Sequence, residues 1–408
     1  MSEWKTVKMS DISMSIQPGP FGSQLHSSDY SSDGTPIIMP KDMIDGRIRH
    51  ADLAFVSDMH VKRLSRHQVH PGNLIVARKG DVRKCVYITD YEDGWMTGSD
   101  CLKVALNEEL CYPKFIFYQL RSPYIGRWLE TISIGATMPS LNSGLLGSIE
   151  LFLPPIDIQE HISSILTAYD SLIETNQRQI KLLEEAAQRL YKEWFVDLRY
   201  PGHENVPMVD GVPEGWKKNR ADSFFEITIG KTPPRAEKQW FLPEGQGVPW
   251  ASITDMGDAG SFIMHTAECL SCEAIERYNM KLVPSGTILV SFKLTVGRVS
   301  IVTMPMCTNE AIAHFRIEDP AMREYVFSYL KSFEYETLGN TSSISKAVNS
   351  KIIKAMPFVI PSADVLASYS NIASPIFDKI CKLQITNYSL SEARDRLLPK
   401  LMSGEIAV

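Results

Sequence analysis

Gly72-Asn73-Leu74-Ile75-Val76-Ala77, running on to Thr89, aligns without a gap on Gly286-Thr287-Ile288-Leu289-Val290-Ser291, running on to Thr303, at a constant offset of 214. Gly72 and Gly286, Val76 and Val290, Lys79 and Lys293, Val82 and Val296, and Thr89 and Thr303 are identical pairs, and Lys84 meets Arg298. Upstream, Trp4-Lys5, Asp11 and Gly19 match Trp216-Lys217, Asp222 and Gly230 at offsets of 212, 211 and 211. Downstream, Asn142, Pro154, Glu185-Ala186 and Arg189-Leu190 match Asn349, Pro361, Glu392-Ala393 and Arg396-Leu397 at 207. Drifts of this size are loop insertions, so the chain is a tandem duplication of a unit slightly over 200 residues long.

Each copy has two parts. The first, 1–153 or 201–360, is rich in Gly, Pro and short β-type runs such as Leu74-Ile75-Val76 and Thr287-Ile288-Leu289-Val290, with helical stretches near Tyr112–Leu129 and Met322–Phe333. The second, 154–200 or 361–408, opens on proline and continues as a long heptad helix. In the first copy the seam is Ile162, Leu166, Tyr169, Ile173, Asn176, Ile180, Leu183, Ala187, Leu190 and Trp194, with alternating spacings of 4 and 3. The second copy repeats it from Tyr369 through Asn387 and Arg394 to Leu401. An apolar seam of this length needs a partner, and the other copy supplies one, parallel or antiparallel. An antiparallel pair brings Asn176 and Asn387 together near the middle, where one buried amide pair fixes register; two unrelated polar interruptions give the same sequence pattern.

Composition narrows the function classes. The 408 residues are 44% hydrophobic and 22% charged, which suits two to three folded domains. A net charge of −6 gives no global basic field, so any polyanion site is a local patch. Segment 156–197 alone carries four basic and eight acidic residues, which suits a helix bound to protein or a plain solvated face. Seven scattered cysteines and the absence of an apolar leader or membrane-length stretch lead to the expectation of a reduced cytoplasmic protein.

The helix start Leu153-Pro154-Pro155-Ile156-Asp157-Ile158-Gln159-Glu160, with Leu182-Leu183-Glu184-Glu185-Ala186, Lys192-Glu193-Trp194-Phe195, Gly19-Pro20-Phe21-Gly22-Ser23-Gln24-Leu25 and the terminal Leu397-Leu398-Pro399-Lys400-Leu401-Met402-Ser403-Gly404-Glu405-Ile406, carries a family likeness over essentially the whole chain. It resembles the specificity (S) subunit of Type I restriction-modification systems. The second copy departs from that pattern, opening its helix with Ile360-Pro361-Ser362-Ala363-Asp364-Val365 and placing Gly230-Lys231-Thr232-Pro233-Pro234-Arg235 where the first has Gly-Pro-Phe-Gly-Ser. The resemblance implies an α+β fold with pseudo-two-fold symmetry: target recognition domains at 1–153 and 201–360, separated by antiparallel coiled-coil helices at 154–200 and 361–408. It also implies a non-catalytic subunit in which each globular domain reads one half of a bipartite double-stranded DNA target, while the helices set the spacing and dock two modification (methyltransferase) subunits. Restriction subunits join that core. No cofactor is expected on this chain: S-adenosylmethionine belongs to the modification subunit, and ATP and Mg to the restriction subunit.

Missing chemistry agrees with that expectation. Neither Leu153-Pro154-Pro155-Ile156 nor Thr232-Pro233-Pro234-Arg235 has the acidic or amide residue before Pro-Pro and the aromatic after it that an amino-methyltransferase needs. Gly230-Lys231-Thr232 lacks the upstream glycine of a phosphate-binding loop, Phe225 standing in its place. Cys269-Leu270-Ser271-Cys272 has no second pair to complete a zinc site. The rival classes are a coiled-coil adaptor without DNA specificity and a catalytic nuclease or methyltransferase.

Candidate DNA contacts are therefore local. Arg78, Lys79, Arg83 and Lys84 follow one strand, and Lys293 and Arg298 recur at the same spacing after its repeat; a phosphate- or guanine-binding tip and a solvated hairpin tip both fit. Gly22, Ser23 and Gln24 form a small polar loop in which Gln24 suits adenine, or a structural turn, and Lys231 and Arg235 occupy the matching region of the second copy. The segment Gly135-Ala136-Thr137-Met138-Pro139-Ser140 corresponds to Gly339-Asn340-Thr341-Ser342-Ser343 just before the last strand, where backbone amides near Thr137, Ser140, Thr341 and Ser342 suit phosphate.

Overall fold

The computed structural model describes residues 4–20, 22–132, 140–338, 348–406 and 408. It divides into two compact units, Met1–Ile173 with Ser389–Val408, and Glu174–Tyr388. Each unit takes one globular domain together with one end of each long helix. This grouping differs from a division at the start of each helix, because the two helices pack head to tail.

The same strand order is built twice. In the first unit the central sheet runs Ser13–Pro18, Cys101–Leu106, Leu74–Ala77, Cys85–Tyr87. In the second it runs Glu226–Ile229, Ile312–Arg316, Ile288–Ser291, Val299–Val302, with Phe262–Ile263 added at the edge. The segments aligned at offset 214 are thus the same antiparallel hairpin, with Val76 opposite Cys85 and Val290 opposite Val299. Leu74-Ile75-Val76-Ala77 and Ile288-Leu289-Val290-Ser291 are buried throughout, which is why both read as continuous apolar or small-residue runs. A smaller sheet also recurs: Met96–Thr97 pairs parallel with Thr35–Ile38, and Cys307–Thr308 pairs parallel with Val248–Ala251.

A two-stranded ladder closes each domain just before its helix. Lys5–Lys8 lies antiparallel to Glu150–Leu153, and Lys217–Arg220 to Pro357–Ile360. The helices follow at Ile156–Tyr191, extended by a π-helical turn at Lys192–Val196, and at Ala363–Met402. Every seam position predicted from the heptads is buried or half-buried.

Antiparallel packing is explicit within each unit. In the second, the Asn176 amide donates to Asn387 Oδ1 at 2.8 Å, and the Trp194 and Tyr369 rings lie 5.9 Å apart. Moving eighteen residues forward on one helix thus moves the contact eighteen back on the other. In the first unit Ile162 and Leu166, near the start of one helix, share a core with Leu398, Leu401 and Met402 at the end of the other. Two apolar seams meeting in this way are what make such long helices stable.

Candidate nucleic-acid interface

Gly19 and Gly230 position the first pair of candidate loops. A Cβ on Gly19 would fall 1.9 Å from the Gly98 carbonyl oxygen, and one on Gly230 2.2 Å from that of Asn309, so only glycine lets the chain pass the neighbouring turn in either domain. Beyond Gly19 the chain makes a single 3-10 turn at Gly22–Gln24, whose Gln24 carbonyl accepts from Arg63 at 2.8 Å. Beyond Gly230, the exposed Lys231 donates to the carbonyls of Tyr278 and Asn279 at 3.3 Å, just past a short helix at Cys272–Arg277. Arg235 is held more firmly. Its Nη1 donates to both Glu268 oxygens, at 2.9 and 2.7 Å, and its guanidinium lies 4.2 Å from the Phe241 ring centroid and 4.6 Å from that of Trp250.

The duplicated hairpins supply the second pair. In the first domain Lys79 forms an exposed ion pair with Asp100 at 3.2 Å, and Arg83 spans Asp81 and Glu130 at 3.1 and 3.2 Å. Ser140 bridges to Lys79, and Leu141 N–H donates to the Arg78 carbonyl at 2.8 Å, so residues 140 and 141 pair with the start of the hairpin turn. Thr137, Thr341 and Ser342 lie outside the described residues, as does the Ser23 side chain.

The second hairpin carries Lys293 exposed at its tip, 5.6 Å from the buried Phe292 ring. Glu310 connects this tip to the Gly230–Arg235 loop. Its carboxylate accepts from the Thr232 hydroxyl and feels the charges of both Lys293 and Arg235. Desolvation alone would raise the Glu310 carboxyl, yet those two cations and the hydrogen bonds it receives hold it below its usual range.

Lys84 and Arg298, whose recurrence drew attention to both tips, point inward. The Lys84 ammonium donates to the Pro40 carbonyl at 3.0 Å, and the Arg298 guanidinium donates to the Ile253 carbonyl. Pro40 and Ile253 each begin the helical turn that follows the equivalent strand of the smaller sheet, Thr35–Ile38 or Val248–Ala251. Gly257 makes room for the guanidinium, since a Cβ there would sit 2.3 Å from Arg298 Nη1. A shared internal tether thus accounts for the conserved charge in the repeat. The acids Asp100, Glu268 and Glu310 escaped the sequence reading because their partners lie on other loops.

Among the described residues no three His, Cys, Asp or Glu side chains gather as a metal site, and Cys269 is buried while Cys272 is exposed. No helix among them is long and apolar enough to cross a membrane.

Comparison with known proteins places these features. The family model described as Type I restriction modification DNA specificity domain matches residues 1–185 and 213–373. The chain is 24% identical over 474 aligned residues, covering all of both proteins, to the Type I restriction enzyme HindI specificity subunit of Haemophilus influenzae. It is 26% identical to the MjaIX specificity subunit of Methanocaldococcus jannaschii over 72% of this chain and 69% of that one. Its fold is similar to the crystal structure of the Type I restriction-modification S subunit from M. genitalium, with a TM-score of 0.58, 14% identity, and coverage of 98% of this chain and 96% of the other. With two stretches matched, one in each repeat, the chain belongs to the Type I restriction-modification DNA specificity family.

Proposed function

We propose that this chain is the sequence-reading subunit of a Type I restriction-modification complex, each globular domain recognising one half of a bipartite DNA target. The observation that carries the reading is the duplication itself: one hairpin-bearing domain occurs twice, each time followed by a helix of an antiparallel pair. The helices act as the ruler between half-sites and as the docking platform for two modification subunits, to which restriction subunits add. Adenine methylation then uses S-adenosylmethionine on the modification subunit, and ATP and Mg serve the restriction subunit. This chain supplies selection of sequence and no bond-making step.

Within the domains, Lys79 with its neighbours Arg78, Arg83 and Ser140, and Lys293 with Lys231 and Arg235, are the residues proposed to meet DNA, together with the Gly22–Gln24 turn. Arg235, fixed through Nη1 and packed against the Phe241 and Trp250 rings, suits base-edge recognition; exposed Lys79 and Lys293 suit phosphate. Lys84 and Arg298 brace the tips from behind. Binding of the assembled complex to DNA over a range of salt tests this. Phosphate contacts give log K falling linearly with log salt, with a slope of roughly −0.9 per phosphate neutralised, and base contacts give a surplus of affinity for one sequence. A flat salt response with no preferred sequence overturns it.

A further inference from the structure

Gly80 and Leu294 occupy the same place in the two hairpins, one residue past the paired lysines Lys79 and Lys293. Both take left-handed backbone conformations, with φ of 76° and 60°. Glycine adopts that conformation freely, whereas a leucine side chain there is strained. Leu294 is also 89% exposed, more than any other large apolar side chain among the described residues. Strain and exposure are both unfavourable in the isolated domain, and neither occurs at the matching position of the first.

The surroundings hold Leu294 in place. Phe292, two residues before it, is fully buried. The buried Ser291 hydroxyl donates to the Thr295 carbonyl and accepts from Arg298 N–H at 3.0 Å, and Gly297 N–H donates to the Ser291 carbonyl at 2.9 Å. Arg298 is tied in turn to the Ile253 carbonyl. The loop is therefore closed on itself, with its one large apolar group outward beside a lysine. The two strands of this hairpin lie inside a five-stranded sheet, so the tip alone is free to meet a groove, and the apolar group that the major groove presents on a base edge is the thymine 5-methyl.

We propose that Leu294 contacts a thymine methyl in the half-site read by the second domain, and that Gly80 leaves the first domain without this contact. The inference rests on the DNA-reading function above. The test uses the assembled complex and duplexes carrying its mapped target, with each thymine of both half-sites replaced in turn by deoxyuridine, which removes only the methyl. Burial of one methyl predicts a loss of about four-fold in affinity at one position, in one half-site. Leu294→Gly, which restores the backbone freedom of the first repeat, should lose the same factor on thymine DNA and become indifferent to deoxyuridine there. Leu294→Met should retain discrimination. Indifference of the unaltered complex to every replacement overturns the proposal, as does a half-site without an A·T pair or a Leu294→Gly complex that still discriminates. A complex with no preferred sequence at all overturns the DNA-reading function itself, and is told apart by that result.

Discussion

The two units brace their helix pairs with different chemistry at the same layer. In the first unit Asp170 accepts from Arg394 at 2.7 Å and from the Tyr118 hydroxyl at 2.7 Å, with Arg121 at 3.9 Å and Arg47 on its carbonyl. At the repeat offset of 207 the second unit has Phe377 and Ala187, both inside its apolar core. A layer about one heptad away diverges in another way: Ile162 and Leu401 share the core of one unit, whereas the Tyr369 and Trp194 rings meet in the other. Duplication therefore preserves the register of the seam and leaves the means of filling it free. A buried ion pair contributes little net stability but demands its partner, whereas an apolar pair gains by area alone.

Single changes should expose that difference. Phe377→Ala leaves a cavity in the second unit and should cost about 3–5 kcal/mol, measured by urea unfolding of the full chain. Arg394→Leu takes the nearest cation from the Asp170 carboxylate in the first and should cost about 3 kcal/mol, while Asp170→Phe with Arg394→Ala, the second unit's layer moved into the first, should recover most of that loss. A double variant no more stable than Arg394→Leu would show that the two layers are not interchangeable.

Acid offers a test that touches both units. Burial pushes His67 and His314 down to about 4, Arg66 and Lys103 adding to the effect at His67, and the His314 ring lies between the Thr228 and Thr308 hydroxyls at 2.8 and 2.7 Å. Their folded values lie below the ordinary value of 6.5, so the unfolded chain binds more protons between pH 4 and 6.5. The contribution of the two histidines should be complete above pH 6.5 and fall as pH drops toward 4, by at most ~1.4 kcal/mol per pH unit for each. His314→Gln should flatten the dependence of the urea midpoint on pH by its own share only.

Paired charges on the second hairpin should separate by readout. Arg298→Ala should lower stability by about 1–2 kcal/mol through the orphaned Ile253 carbonyl, whereas Lys293→Ala should leave stability unchanged and lower the salt slope of DNA binding by about one. Leu294→Gly should raise stability slightly. Relief of a left-handed leucine, ~1–2 kcal/mol, is set against the extra freedom of unfolded glycine, ~0.5–1, leaving a gain of about 0.5–1 kcal/mol. A clear loss in the urea midpoint would mean that Leu294 packs against its own domain.

Periodic and duplicated features were legible in the sequence because they recur at a fixed spacing: the hairpin strands at offset 214, the heptad seams, and the Asn176–Asn387 pair they align. Partners lying on distant loops were not. Lys84 finds Pro40 and Arg298 finds Ile253 more than forty residues away, with no pattern in between to signal it. Arg394 was visible as a polar residue in an apolar seam, yet Asp170 stood beside the seam, one position past Tyr169, and its pairing emerges only once the helices are set antiparallel.

Exchange of one domain tests the division of labour between the two units most directly. Residues 201–360 are replaced by the matching domain of another family member, and methylated adenines are mapped in a genome expressing the hybrid with its modification subunits. The predicted result is a bipartite target in which one half changes and the other half, read by residues 1–153, is unaltered. A target changed in both halves, or in neither, would contradict the assignment of one half-site to each domain.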